Sequence, residues 1–161
     1  MGLQPVIRQN RKLLLAGMRR NMSLVNNQTR ALWEQFMPAR RRVNSIEGAP
    51  FYSVEIYPDL QYFRAFDPTI IFEKWAAMEL EEGAAVPDGM ELCTIPEGDY
   101  AVFLYRGRPS EVKDTYQYIF TVWLPASGYQ LDHRPHLAVM DERYKGEHPD
   151  SEEELWIPVR R

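Results

Sequence analysis

Cysteine is nearly absent: Cys93 stands alone in a chain of 161 residues. One thiol excludes an intrachain disulfide and any zinc site built from four cysteines. A chain of this size without a disulfide framework suits a reducing compartment, so a cytoplasmic location is expected. Long apolar runs are missing as well. Leu13-Leu14-Leu15-Ala16-Gly17-Met18 is too short for the core of a signal peptide and runs directly into Arg19-Arg20. Nothing approaches the roughly 20 apolar residues of a membrane span, so no membrane partner is expected. A basic excess is lacking too, with 19 Lys and Arg against 23 Asp and Glu and a net charge of −4. Dedicated nucleic-acid binders usually carry such an excess, so no direct nucleic-acid contact is expected. Glycine-rich phosphate loops and His-Glu-x-x-His are absent, and the expectation is no cofactor and no metal. His133, His136 and His148 read as surface imidazoles near a turn, Arg40-Arg41-Arg42 as a solvated helix end, and Cys93 as buried and inert.

Proline and glycine are plentiful, and their 12 and nine copies divide the chain into short elements. Strands are predicted at Lys12 to Arg20, Phe51 to Tyr57, Phe72 to Leu80, Tyr100 to Tyr105, Leu137 to Met140 and Leu155 to Val159. Gly17 should leave a gap on one face of the first. Helices are predicted at Asn27 to Met37, with an apolar stripe of Val25, Leu32, Trp33 and Phe36, and at Ser110 to Leu124. Ser110 is a candidate cap for the second helix, with Glu111 in its first turn, and Pro125 its stop. Leu80 to Asp88 reads as a linker. A shift of 87 positions takes Leu15 to Val102, Leu32 to Ile119, Trp33 to Phe120, Phe36 to Trp123 and Pro38-Ala39 to Pro125-Ala126. We read a duplicated strand–helix–strand–strand unit, with repeats about 1–80 and 89–161 of one α+β domain. Two pseudo-twofold helices should lie on one side of antiparallel sheet, either two three-stranded sheets or one continuous curved sheet. They should bury Trp33, Phe36, Phe120 and Trp123.

The aromatics carry the functional signal: nine Tyr, seven Phe and four Trp. Tyr52, Tyr57, Tyr100 and Tyr105 fall on predicted strands, and tyrosine suits pockets for flat organic ligands. Glu55 and Glu79 sit among apolar strand residues. A carboxylate so placed either attracts a cationic ligand or serves as an acid–base group with a raised pKa.

Several stretches taken together resemble one family. They are Ile95-Pro96-Glu97-Gly98-Asp99-Tyr100-Ala101-Val102-Phe103, Trp123-Leu124-Pro125-Ala126-Ser127-Gly128-Tyr129, Arg134-Pro135-His136-Leu137 and Trp156-Ile157-Pro158-Val159. With Phe72-Glu73-Lys74-Trp75-Ala76-Ala77-Met78-Glu79, they resemble the GyrI-like, AraC-effector-binding family in order and over nearly the whole chain. That resemblance implies a pair of strand–helix–strand–strand units and a cleft between them for flat aromatic or cationic compounds. It implies a stand-alone small-molecule-binding protein connected with transcription regulation or a response to foreign compounds. The alternatives are a hydrolase of cyclopropane-bearing natural products and an inhibitor of DNA gyrase; a protein partner is not identified. The ligand site is expected at Tyr52, Glu55, Trp75, Glu79, Phe103, Tyr105, Trp123, Ala138 and Met140. Glu79 would handle protons and Tyr105 would orient the substrate in the enzymatic case. The family commonly carries a glutamate where this chain has Ala138. A cleft without that carboxylate should prefer neutral planar ligands.

Overall fold

The computed structural model describes residues 3–161. Nine strands form one antiparallel sheet: β1 (Val6–Asn10), β2 (Leu13–Met22), β3 (Phe51–Ile56), β4 (Phe72–Glu79), β5 (Glu91–Ile95), β6 (Gly98–Arg106), β7 (Gln130–Leu131), β8 (His136–Met140) and β9 (Glu152–Arg160). Their order is β1-β6-β9-β8-β3-β4-β2-β5, with β7 beside β9. The order reads symmetrically from the central β8–β3 pair. The β2-β4-β3 triplet corresponds to β6-β9-β8, and each carries an outer strand, β5 or β1. Tyr52 and Val139, which the shift of 87 relates, face each other across the central pair. The sheet is the continuous curved one. β1 and β5, which the sequence does not single out, complete its edges, and β1 adds to the second triplet.

Two short connections force the curvature. Arg11-Lys12 joins β1 to β2, and Pro96-Glu97 joins β5 to β6, although each pair stands near opposite ends of the sheet. Two residues span roughly 10 Å at most, so the ends must roll toward each other. The inner face closes on itself as one apolar cluster, including Leu15, Val54, Trp75, Ile95, Tyr100, Val102 and Trp156. Cys93 is buried there, and burial pushes its thiol up to about 12. Gly17 leaves no gap. It is buried opposite Ala77, and a Cβ built on it would fall 2.1 Å from the Ala76 carbonyl oxygen.

The helices cover the outer face. The first, α1 (Thr29–Phe36), buries Leu32 and Phe36 over β2 and β4, then tightens into a turn at Met37–Arg42. Val25 precedes the helix and is exposed, because the chain is still in the turn before it. The second segment runs through α2 (Lys113–Tyr118), a wide turn at Ile119–Trp123 and α3 (Leu124–Ser127). Ser110 does not cap it; its N–H and hydroxyl donate to Glu147, and the helix begins three residues later. Pro125 does not end it either. The wide turn pairs Leu124 N–H with Ile119 O, so the proline enters at the start of a fresh turn and needs no donor. Gly128, at φ 80°, closes that turn. Ile119 and Trp123 are buried over β6 and β9, while Trp33 and Phe120 are half-buried at the inner flanks of the helices.

Candidate functional site

Strand register builds the floor of the site. On the helix-covered face, Met18, Ala76, Ser53, Ala138, Leu155 and Phe103 form one row across six strands. The middle three are small. α1 packs over one end of the row and the α2–α3 segment over the other, leaving Ser53 and Ala138 between them at 7% exposure each.

Charged side chains reach this floor from both directions. Glu55 of β3 faces Lys74 of β4 in register, with Lys74 Nζ 3.9 Å from Glu55 Oε2 and both side chains only 16% exposed. The Tyr57 hydroxyl donates to the same oxygen at 3.2 Å. Glu153 of β9 is 8% exposed and, among the described residues, has neither a hydrogen-bond nor an ion-pair partner for its carboxyl group. Burial pushes its carboxyl up to about 7; the Lys74 charge pulls it down and the Glu55 charge pushes it further up. Its oxygens are not among the fully buried unpartnered atoms and so keep a sliver of solvent contact. A carboxyl group this deeply buried, with no protein partner, is open to a ligand. The phenols of Tyr57 and Tyr116 are pushed well above the ordinary range, first by burial and then by Glu55.

Rings close one end. Phe63, from the turn Leu60–Phe63, stacks on His136 with centroids 5.1 Å apart and planes 16° apart. Tyr57 and Phe120 each lie 4.8 Å from Phe63, and Tyr116 stacks on Phe120. His136 is therefore not a surface imidazole. It is 5% exposed, and burial, aided by Arg134 and His133, holds it down to about 3 and neutral.

The residues singled out from the sequence divide between the two faces. Phe103, Tyr105, Trp123 and Ala138 share the helix-covered cluster, and alternation along β3 and β8 puts Glu55 and Met140 on the same side. Tyr52, Trp75 and Glu79 belong to the inner face. Glu79 accepts from Arg11 at 2.7 Å, and Trp75 Nε1 donates to Glu73 at 2.7 Å. The Tyr105 hydroxyl donates to the Arg108 carbonyl at 2.6 Å and holds the turn after β6. Glu79 and Tyr105 are thus not brought together. The expected lack of a central carboxylate is corrected: Ala138 supplies none, but Glu153 and Glu55 project onto the same face from the neighbouring strands. In sequence Glu153 is masked by the run Glu152-Glu153-Glu154, which has the composition of a solvated stretch. Its alternation with Leu155, Ile157 and Val159 was the available signal.

Comparison with known proteins agrees with this architecture. BrlR of Pseudomonas aeruginosa, a transcriptional regulator, is 30% identical over 130 residues, which make up 80% of this chain and 45% of BrlR. The chain thus spans less than half of that relative's length. SAV2435 bound to tetraphenylphosphonium superposes with a TM-score of 0.74 at 14% identity, over 98% of this chain and 94% of that one. A hydrolase encoded by lin2189 of Listeria innocua does so with a TM-score of 0.61 at 12% identity, over 99% and 93%. At such identities the two structures speak for the fold. Residues 3–160 match the GyrI-like small molecule binding domain, and the chain belongs to that family.

Proposed function

We propose that the protein binds a bulky or planar aromatic cation on the helix-covered face, between α1 and the α2–α3 segment. The unpartnered Glu153 carries this reading. A carboxyl group buried among Tyr116, Leu155 and the small floor is costly unless a ligand completes it, and an aromatic cation supplies both the charge and the apolar surface. The neutral planar ligand that Ala138 suggested gives way to a charged one for this reason. The tetraphenylphosphonium held by SAV2435 is a compound of the proposed class. A role in transcription regulation, by likeness to BrlR, and a cytoplasmic location, argued from the single cysteine, belong to the same proposal.

Titration with tetraphenylphosphonium at pH 8, followed by tryptophan fluorescence, tests it. Saturable binding should weaken at least tenfold in Glu153→Gln and stay unchanged in Glu79→Gln, whose carboxylate lies on the inner face. No binding, or an equal loss in both variants, overturns the reading.

One observation supports a second reading. A carboxyl group near 7 beside a buried phenol suits general acid–base work on a strained electrophile, as in hydrolysis of a cyclopropane-bearing compound. Turnover of such a compound should then drop by about 10²–10⁴ in Glu153→Gln. An unchanged rate removes Glu153 from that role.

A further inference from the structure

We propose that Lys74 fixes the charge the site accepts, making it selective for singly charged aromatic ligands over doubly charged ones. The inference rests on the binding reading above and goes further, to the charge class of the ligand. At pH 8, above the value of about 7 for Glu153, three charged side chains face the floor: Glu55, Glu153 and Lys74. Lys74 stands opposite Glu55 in register, 3.9 Å away and largely buried with it, and its charge also reaches Glu153. Among the described residues no other Lys or Arg comes within 4.0 Å of either carboxylate. The charges that act on the Glu153 carboxyl are those of Lys74 and Glu55. Glu147, which acts with Glu153 on the Tyr105 and Tyr144 phenols, is held by the Ser110 N–H and hydroxyl. The remaining groups around the floor are uncharged at neutral pH. The Tyr57, Tyr62, Tyr116 and Tyr144 phenols are raised, and the His136 imidazole is lowered. Arg134, which bears on His136, is engaged by Asp132 at 2.6 Å.

Two carboxylates and one ammonium leave a single net negative charge. One ligand charge neutralises it, whereas a second would sit beside the Lys74 ammonium in a water-poor site, where like charges repel strongly. Lys74 is therefore a resident cation: it already occupies half of the anionic capacity, and the ligand completes the rest. The arrangement also accounts for Glu153 lacking a partner, because the lysine whose charge acts on it is paired with Glu55 instead.

Two flat ligands of matched shape separate the cases: methylphenylpyridinium, with one charge, and methyl viologen, with two. Isothermal titration at pH 8 should show the wild type preferring the monocation by at least tenfold. Lys74→Met should raise the dication-to-monocation affinity ratio at least tenfold, and Lys74→Arg should preserve the wild-type ratio. Lys74→Met combined with Glu55→Gln restores one net negative charge and should restore the monocation preference. Glu55→Gln alone brings the net charge to zero, so the monocation should lose its advantage over neutral methylbiphenyl; this variant decides the matter if Lys74→Met does not fold. Ratios that ignore these charge counts overturn the inference. Absence of any binding by the wild type, to these ligands and to tetraphenylphosphonium alike, instead overturns the binding reading beneath it.

Discussion

The two faces of the sheet treat their carboxylates differently. On the inner face each glutamate is tied down. Glu73 accepts from Trp75 and Arg19, Glu79 accepts from Arg11, and Glu154 accepts from Trp156 and Arg143. On the helix-covered face Glu55 and Glu153 share one lysine, and Glu153 has no hydrogen bond among the described residues. The first pattern is what a fold needs to bury the rims of its core. The second leaves a charge in want of a partner, at the one place where register sets small residues between two helices. Satisfied charge marks the scaffold here, and unsatisfied charge marks the proposed site.

The contrast is broken most severely by filling the inner face. Gly17→Val would drive a side chain into the Ala76 carbonyl, and Ala77→Leu would meet the same closed layer. Each should cost about 3 kcal/mol or prevent folding, read from urea denaturation. Ala138→Leu on the other face is the counterpart. It should cost about 1 kcal/mol, at the low end for overpacking because Ala138 keeps 7% exposure where Ala77 has none, yet weaken tetraphenylphosphonium binding at least tenfold. Equal destabilisation by Ala77→Leu and Ala138→Leu would erase the distinction.

The carboxylates should respond with opposite signs. Glu153→Gln removes a carboxyl whose folded value, about 7, lies above its ordinary 4.5. Between those values the folded chain keeps a proton that the unfolded chain releases. The stability this confers is full below pH 4.5 and is lost as pH rises through 7. At pH 8 the glutamine variant should therefore be more stable than the wild type by roughly 2 kcal/mol, with a flatter pH profile. Glu154→Gln should lose about 1 kcal/mol, because it weakens the bond from Trp156 and the ion pairs with Arg143 and Arg8. Thermal melts across pH 4 to 9 measure both. The smallest effect is expected at Arg30→Ala, whose exposed pair with Glu34 should contribute less than about 0.5 kcal/mol.

Much of this fold is legible in local pattern. The strands at Phe51, Phe72 and Tyr100, and the burial of Phe36 and Trp123, follow from alternation and helical spacing. The internal shift of 87 anticipates the symmetric strand order. The edge strands β1 and β5 are not legible, because their side chains are mostly exposed and only pairing with a distant neighbour makes them strands. The site is partly legible. Glu55 and Ala138 stand out in apolar strands, but which face each residue shares depends on register between strands far apart in sequence. Trp75, Tyr52 and Glu79 are as aromatic or acidic as the residues of the site, and only pairing places them on the other side. Glu153, Lys74 and the rings of Phe63 and Tyr116 come from four separate segments, and no single stretch announces them.

Titration of the Glu153 carboxyl by carbon-detected NMR, with and without tetraphenylphosphonium, tests the account most directly. The free protein should titrate near 7, and saturation with the cation should move the value down by at least one unit, since a bound positive charge favours the ionised form. A Glu153 that titrates at its ordinary 4.5, or one that does not respond to saturating cation, would contradict the assignment of the helix-covered face as the binding site.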